Sequence, residues 1–125
     1  MRAKRILVVD DEPGVTRNLK LALECGGGYD VQVENCSGNA LVVARHFRPD
    51  LILLDVMMPG LDGGDVAARL QADSLLRNTP VVFLTAILTT AETAGHELMK
   101  GGYPFLAKPV DLEELKKSIE EHIRK

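Results

Sequence analysis

The sequence predicts an α/β protein in which a mainly parallel sheet is covered by helices on both faces. Three observations predict it. Apolar, β-branched runs alternate five times with stretches of helical spacing, a pattern that demands right-handed crossovers. The run Leu51-Ile52-Leu53-Leu54 holds no polar residue, as expected of a strand buried on both faces. That run ends on one carboxylate, Asp55, and Met58-Pro59-Gly60 then turns the chain away. Asp55 is therefore expected at the carboxyl end of a buried strand, where open parallel sheets keep their binding crevices.

Taken in order, Lys4 to Val9 reads as the first strand, ending in Asp10-Asp11-Glu12. Pro13 suits a first helical turn, and Val15, Leu19, Ala22 and Leu23 give helical spacing as far as Cys25. Gly26-Gly27-Gly28 stops that helix. Val31-Gln32-Val33 is a short alternating strand, expected at an edge. Ser37 is placed to cap a second helix carrying Ala40, Leu41, Ala44 and Phe47, which Arg48-Pro49-Asp50 breaks. After the Asp55 strand, Leu61 to Gly64 reads as loop, and Val66, Ala67 and Leu70 mark a third helix. Val81 to Leu84 forms the next strand and ends at Thr85-Ala86. A fourth helix is expected from about Thr90 to Lys100, weakly patterned and interrupted by Gly95. Pro104 to Ala107 is the last strand and ends at Lys108-Pro109. Asp111 with Glu114 makes a capping box that opens a fifth helix carrying Leu112, Leu115, Ile119 and Ile123.

Four strand ends thus carry polar groups: Asp10-Asp11-Glu12, Asp55, Thr85 and Lys108. All are carboxyl ends, so a parallel sheet brings them to one edge. Carboxylates so close cannot all ionise cheaply, and a cation would relieve them. All-oxygen ligation with few protein ligands suits Mg²⁺ (or Mn²⁺), which keeps several waters. Asp11 and Asp55 are the expected direct ligands, with Asp10 acting directly or through water and the Met57 carbonyl as a further oxygen. A carboxylate beside such a cation and an ammonium is also a nucleophile for phosphoryl transfer. Lys108 supplies charge, Thr85 a hydroxyl, and the backbone N–H groups of Met57 and Ala86 further donors.

The remaining composition is ordinary. In 125 residues, 46% are hydrophobic and 26% charged, and the net charge is −3. That length predicts one domain spanning residues 1–125, with a core that needs no staples. With a pI near 5.6, a nucleic-acid backbone is not an expected direct partner. No apolar run approaches the ~20 residues of a membrane span, and Ile6 to Val9 is too short for a signal-peptide core. A cytoplasmic setting follows. Cys25 and Cys36 form no CxxC and read as reduced structural thiols; His46, His96 and His122 are scattered and read as solvated. No second domain is expected within this stretch. The sequence leaves open whether it stands alone or is one piece of a longer protein, and what its oligomeric state is.

Asp10-Asp11, Asp55 in "LILLDVMMPGLDG", Thr85-Ala86 and Lys108-Pro109 together resemble the receiver domain of two-component response regulators, over Ile6 to Ile123. The resemblance implies a flavodoxin-like (βα)5 fold with strand order 2-1-3-4-5. It implies that Asp55 is the phosphoacceptor for a partner histidine kinase or histidine phosphotransfer protein. Asp10 and Asp11 would hold Mg²⁺, and Thr85 and Lys108 would grip the phosphoryl group. It implies a cis Lys108-Pro109 bond, and an inward swing of Phe105 coupled to Thr85 that remodels the face of the fourth helix, last strand and fifth helix. A downstream output domain or protein would read that face. One departure is Gly101-Gly102-Tyr103-Pro104, which replaces the family's more usual Gly-Ala-acidic stretch. Met57 and Ile87, each two residues after a site residue, are apolar and predict slow hydrolysis of the phosphoryl group. The expected role is a switch rather than an enzyme, beyond self-phosphorylation and slow loss of phosphate. Two other readings stand beside it. A phosphatase using Asp55 would want an acid at position 57, where Met57 stands. A phosphate-independent docking module would have no need of the Asp55, Thr85 and Lys108 set.

Overall fold

The computed structural model describes residues 3–85, 98–100, 103–108 and 110–123. Along the chain run β1 (Lys4–Val9), α1 (Pro13–Cys25), β2 (Tyr29–Glu34), a 3-10 turn (Ser37–Asn39), α2 (Ala40–Phe47) and β3 (Leu51–Asp55). Then come α3 (Gly63–Ala72), β4 (Val81–Thr85), β5 (Leu98–Lys100), β6 (Tyr103–Ala107) and α4 (Leu112–His122). The strands form one sheet in the order β2-β1-β3-β4-β6-β5. The pairs among β2, β1, β3, β4 and β6 are all parallel, the flavodoxin-like order expected of five strands.

Side-chain alternation divides the core between the two faces of the sheet. Leu7, Val9, Ile52, Leu54, Phe83 and Phe105 point to one face, where α2 brings Ala40 and Ala44 and α3 brings Val66, Ala67 and Leu70. Ile6, Val8, Leu51, Leu53, Val82, Leu84 and Leu106 point to the other, under Leu23 of α1 and Leu115, Ile119 and Ile123 at α4. Every residue of β3 and β4 is buried. That burial from both sides is why these strands read as unbroken apolar runs. β2 alternates and lies at the sheet edge, as its pattern predicts.

The structure corrects several expectations. Leu98 to Lys100 is not the end of a helix. It forms β5, antiparallel to β6, with Leu98 opposite Phe105 and Lys100 opposite Tyr103. Gly101-Gly102 between the two runs is a hairpin signal that competes in the sequence with the helical spacing of Ala91, Ala94 and Leu98. The rest of the expected fourth helix lies outside the described residues. Ser37 does not cap α2: it opens the 3-10 turn, and its hydroxyl donates to the Pro59 carbonyl at 3.3 Å. Gly63 and Gly64 are not loop but the first turn of α3, opened by a capping box between Asp62 and Asp65. At α4 the Asp111 carboxylate caps the Glu114 N–H at 3.2 Å, and Glu114 gives no return bond among the described residues, so half of the expected box forms. Arg48 closes α2 in the left-handed region at φ 55°, just before Pro49.

Candidate functional site

Asp10, Asp55, Thr85 and Lys108 follow directly on, or end, the parallel strands β1, β3, β4 and β6, and the sheet brings them to one edge. Register does this: Val9 stands opposite Leu54, Asp55 opposite Leu84, and Thr85 opposite Ala107. Backbone bonds extend the ladder past the strand ends. The Asp10 N–H donates to the Glu34 carbonyl at 3.1 Å, the Val56 N–H to Leu84 at 3.0 Å and the Lys108 N–H to Thr85 at 2.8 Å.

Lys108 joins the carboxylates. Its ammonium lies 2.6 Å from Asp10 Oδ2, 3.2 Å from Asp55 Oδ1 and 3.9 Å from Glu12 Oε1. The Lys108 side chain is 14% exposed and that of Asp10 is fully buried, so this is an interior charge pair rather than a surface one. The second Asp10 oxygen accepts the Glu12 N–H at 3.0 Å. Both oxygens of Asp10 are thereby engaged by donors of the chain itself. Asp11, half-buried, makes no hydrogen bond or ion pair with a described residue. The Met57 N–H donates to the Asp55 carboxylate, and the Met57 side chain is exposed beside it.

The electrostatics are unequal. Burial and then the charge of Asp10 push the Asp55 carboxyl above its ordinary range, against the pull of Lys108 and the Met57 N–H. Burial pulls the Lys108 ammonium down, but Asp10 and Asp55 outweigh it and hold its pKa above the ordinary lysine value. An ammonium that stays charged while a neighbouring carboxylate resists ionisation describes a pocket short of positive charge. Asp10, Asp11 and Asp55 each place a carboxylate oxygen within 4.8 Å of the others. An all-oxygen donor set of this kind fits a hard divalent cation such as Mg²⁺ and does not fit zinc.

Gly63 holds α3 against this site. Its N–H donates to the Val56 carbonyl at 2.9 Å. A Cβ at position 63 would stand 2.5 Å from the Asp55 carbonyl oxygen and 2.9 Å from Val56 Cα. No side chain fits there without moving the helix off the Asp55 backbone. In the sequence Gly63 reads only as a turn residue, because close approach leaves no local signal. Glu12, read as part of an acidic trio, reaches Lys108 as well. Phe105 is buried at 6% exposure and packs inward in the same core cluster as Phe83 and Tyr103. Ala86, Ile87, Pro109 and the Lys108-Pro109 peptide geometry lie outside the described residues. Cys25 and Cys36 are free, and both are exposed rather than structural as expected. No histidine joins the acidic cluster among the described residues. His46 is exposed on α2, His122 is half-buried on α4 and His96 is outside the described set.

The model for the response regulator receiver domain matches residues 6–120. This chain belongs to that family. As a receiver domain it is a component of two-component signalling. The DNA-binding response regulator MtrA of Mycolicibacterium smegmatis is 38% identical over 122 residues, covering 98% of this chain and 51% of that protein. RpaA of Synechocystis, a DNA-binding dual master transcriptional regulator, is 40% identical over 113 residues, which is 89% of this chain and 45% of that one. The receiver chain therefore spans about half the length of these relatives. The solved structure of the Vibrio cholerae chemotaxis protein CheY4 superposes with a TM-score of 0.82 at 25% identity, covering 98% of this chain and all of that one. No helix among the described residues is long and apolar enough to cross a membrane.

Proposed function

We propose that this receiver domain is a phosphorylation-controlled switch in which Asp55 accepts a phosphoryl group from a histidine kinase or a histidine phosphotransfer protein. One observation carries the reading: the Lys108 ammonium, 3.2 Å from Asp55 and 2.6 Å from Asp10, faces the acceptor carboxylate from the next parallel strand end but one. An Asp55 oxygen attacks phosphorus as the P–N bond to the donor imidazole breaks. The bonding pair leaves with that nitrogen, which takes up a proton. Phosphoryl transfer asks for alignment and charge neutralisation more than covalent help. Lys108 leaves its contact with Asp55 to meet the incoming oxygens, and Thr85 offers its hydroxyl. Mg²⁺ or Mn²⁺, when bound by Asp11, Asp55 and the Met57 carbonyl, supplies the remaining positive charge. Asp10, with both oxygens engaged by Glu12 and Lys108, fits a water-mediated contact.

Phosphorylation then shifts a two-state equilibrium through Thr85 and Phe105, and a downstream domain or protein in the cytoplasm reads the face around β6 and α4. Amide NMR spectra with Mg²⁺ and acetyl phosphate test this. The switch predicts shifted resonances from Asp55 through to Phe105 in wild type and neither in Asp55→Asn. A phosphorylated protein whose β6 resonances stay in place would contradict the switch. Repeated turnover of phosphate esters would point to a phosphatase instead.

A further inference from the structure

We infer that Asn35 is a positioning residue for the acidic pair, fixing the backbone on which Asp10 and Asp11 present their carboxylates to a divalent cation. The inference rests on the metal-binding reading above and adds to it a residue that lies outside the acidic set. Asn35 follows β2, whose partner is β1. Its side-chain Nδ2 donates to the Asp10 carbonyl at 2.8 Å and to Thr16 Oγ1 at 3.0 Å. The Thr16 hydroxyl donates in turn to the Pro13 carbonyl at 3.1 Å.

The direction of every bond is forced. A backbone carbonyl only accepts, so the amide nitrogen of Asn35, not its oxygen, must face Asp10. The Pro13 carbonyl likewise takes the Thr16 proton, which leaves Thr16 Oγ1 as an acceptor for Asn35. Asn35 is itself exposed, while Thr16 is 1% exposed and Asp10 fully buried, so its amide covers both acceptors from the solvent side. Three other backbone groups of the turn are also held. The Asp10 N–H donates to Glu34 at 3.1 Å, the Glu12 N–H to Asp10 Oδ1 at 3.0 Å, and the Glu12 carbonyl accepts from Val15 at 3.1 Å and Thr16 at 3.2 Å. Among the described residues, Asn35 supplies the one side-chain bond from another element to the main chain of residues 10–13. Without it the peptide unit between Asp10 and Asp11 is free to rotate, and the Asp11 carboxylate moves with it.

Groups that orient metal ligands from behind are worth about 10- to 100-fold in metal affinity. The test measures Mn²⁺ binding by the loss of its free-ion EPR signal, without any phosphodonor, and repeats the titration with competing Mg²⁺. Asn35→Ala and the shape-conserving Asn35→Leu should each weaken binding about tenfold. Leu23→Ala, a core truncation under α1 in the other face's cluster, should lower stability and leave Mn²⁺ affinity unchanged. Saturating metal should restore the wild-type phosphorylation rate in Asn35→Leu, separating affinity from chemistry. Wild-type affinity in both Asn35 variants would overturn the inference while leaving the metal site intact. A wild-type protein that binds neither ion would overturn the metal-binding reading itself, and this inference with it.

Discussion

At Asp55 burial and the charge of Lys108 pull against each other. Its carboxyl is raised from the ordinary 3.8, first by burial and next by Asp10, with Lys108 and the Met57 N–H opposing. A folded pKa above the unfolded one means that the fold prefers the protonated form. That preference stabilises fully below the unfolded pKa and is lost as pH rises through the higher folded value. At neutral pH the ionised Asp55 is therefore a cost to the fold. Asp55→Asn removes that cost. In metal-free buffer at pH 7 the variant should melt above wild type, and the gap should narrow as pH falls and Asp55 takes up its proton. Thermal melts across that range check it; a variant less stable than wild type at pH 7 would contradict the account. Residues at this scale were unequally legible. Asp10, Asp11, Asp55, Thr85 and Lys108 were legible because each is a polar group breaking an apolar run. Gly63 and Asn35 were not, because their contribution is a close approach and a hydrogen bond to another segment, and neither leaves a pattern in its own neighbourhood.

Elements were legible to the extent that one period decided them. β3 and β4 are buried on both faces, and α1 and α4 each carry one apolar stripe, so tertiary packing agrees with local pattern. β5 failed because a three-residue strand has too few positions for a period of two to show. The tie between α4 and the first two strands was also invisible in the sequence. Glu120 on α4 accepts the Tyr29 hydroxyl at 2.6 Å and pairs with the Lys4 ammonium at 2.5 Å, joining α4 to the amino ends of β2 and β1. Burial first, then the hydrogen bond to Glu120 and its charge, push the Tyr29 hydroxyl from 10.0 up to about 12. A raised folded pKa stabilises below the unfolded value, so this contribution is complete below pH 10 and is lost as pH rises to about 12. Tyr29→Phe has no proton to lose. In urea titrations, the stability difference between wild type and Tyr29→Phe should shrink across that window and stay constant from pH 7 to 9. A difference that does not change with pH would show that Glu120 and burial do not act on Tyr29 as described.

At the scale of the whole molecule, one topological fact does most of the work. Parallel strands point their carboxyl ends the same way, so polar groups separated by up to 98 residues in sequence meet at one edge, as Lys108 and Asp10 do at 2.6 Å. The order β2-β1-β3-β4-β6 was legible because five alternating runs and the right-handed crossover rule leave few arrangements. The antiparallel β5 was not, since it attaches to β6 at the far edge and alters nothing among the other strands. We propose that this convergence makes Asp55, and no other carboxylate of the cluster, the phosphoryl acceptor. Intact mass after incubation with Mg²⁺ and acetyl phosphate tests it most directly, for wild type and for Asp55→Asn. Wild type should gain one phosphoryl group and the variant none; the same adduct on both would place the acceptor on another carboxylate.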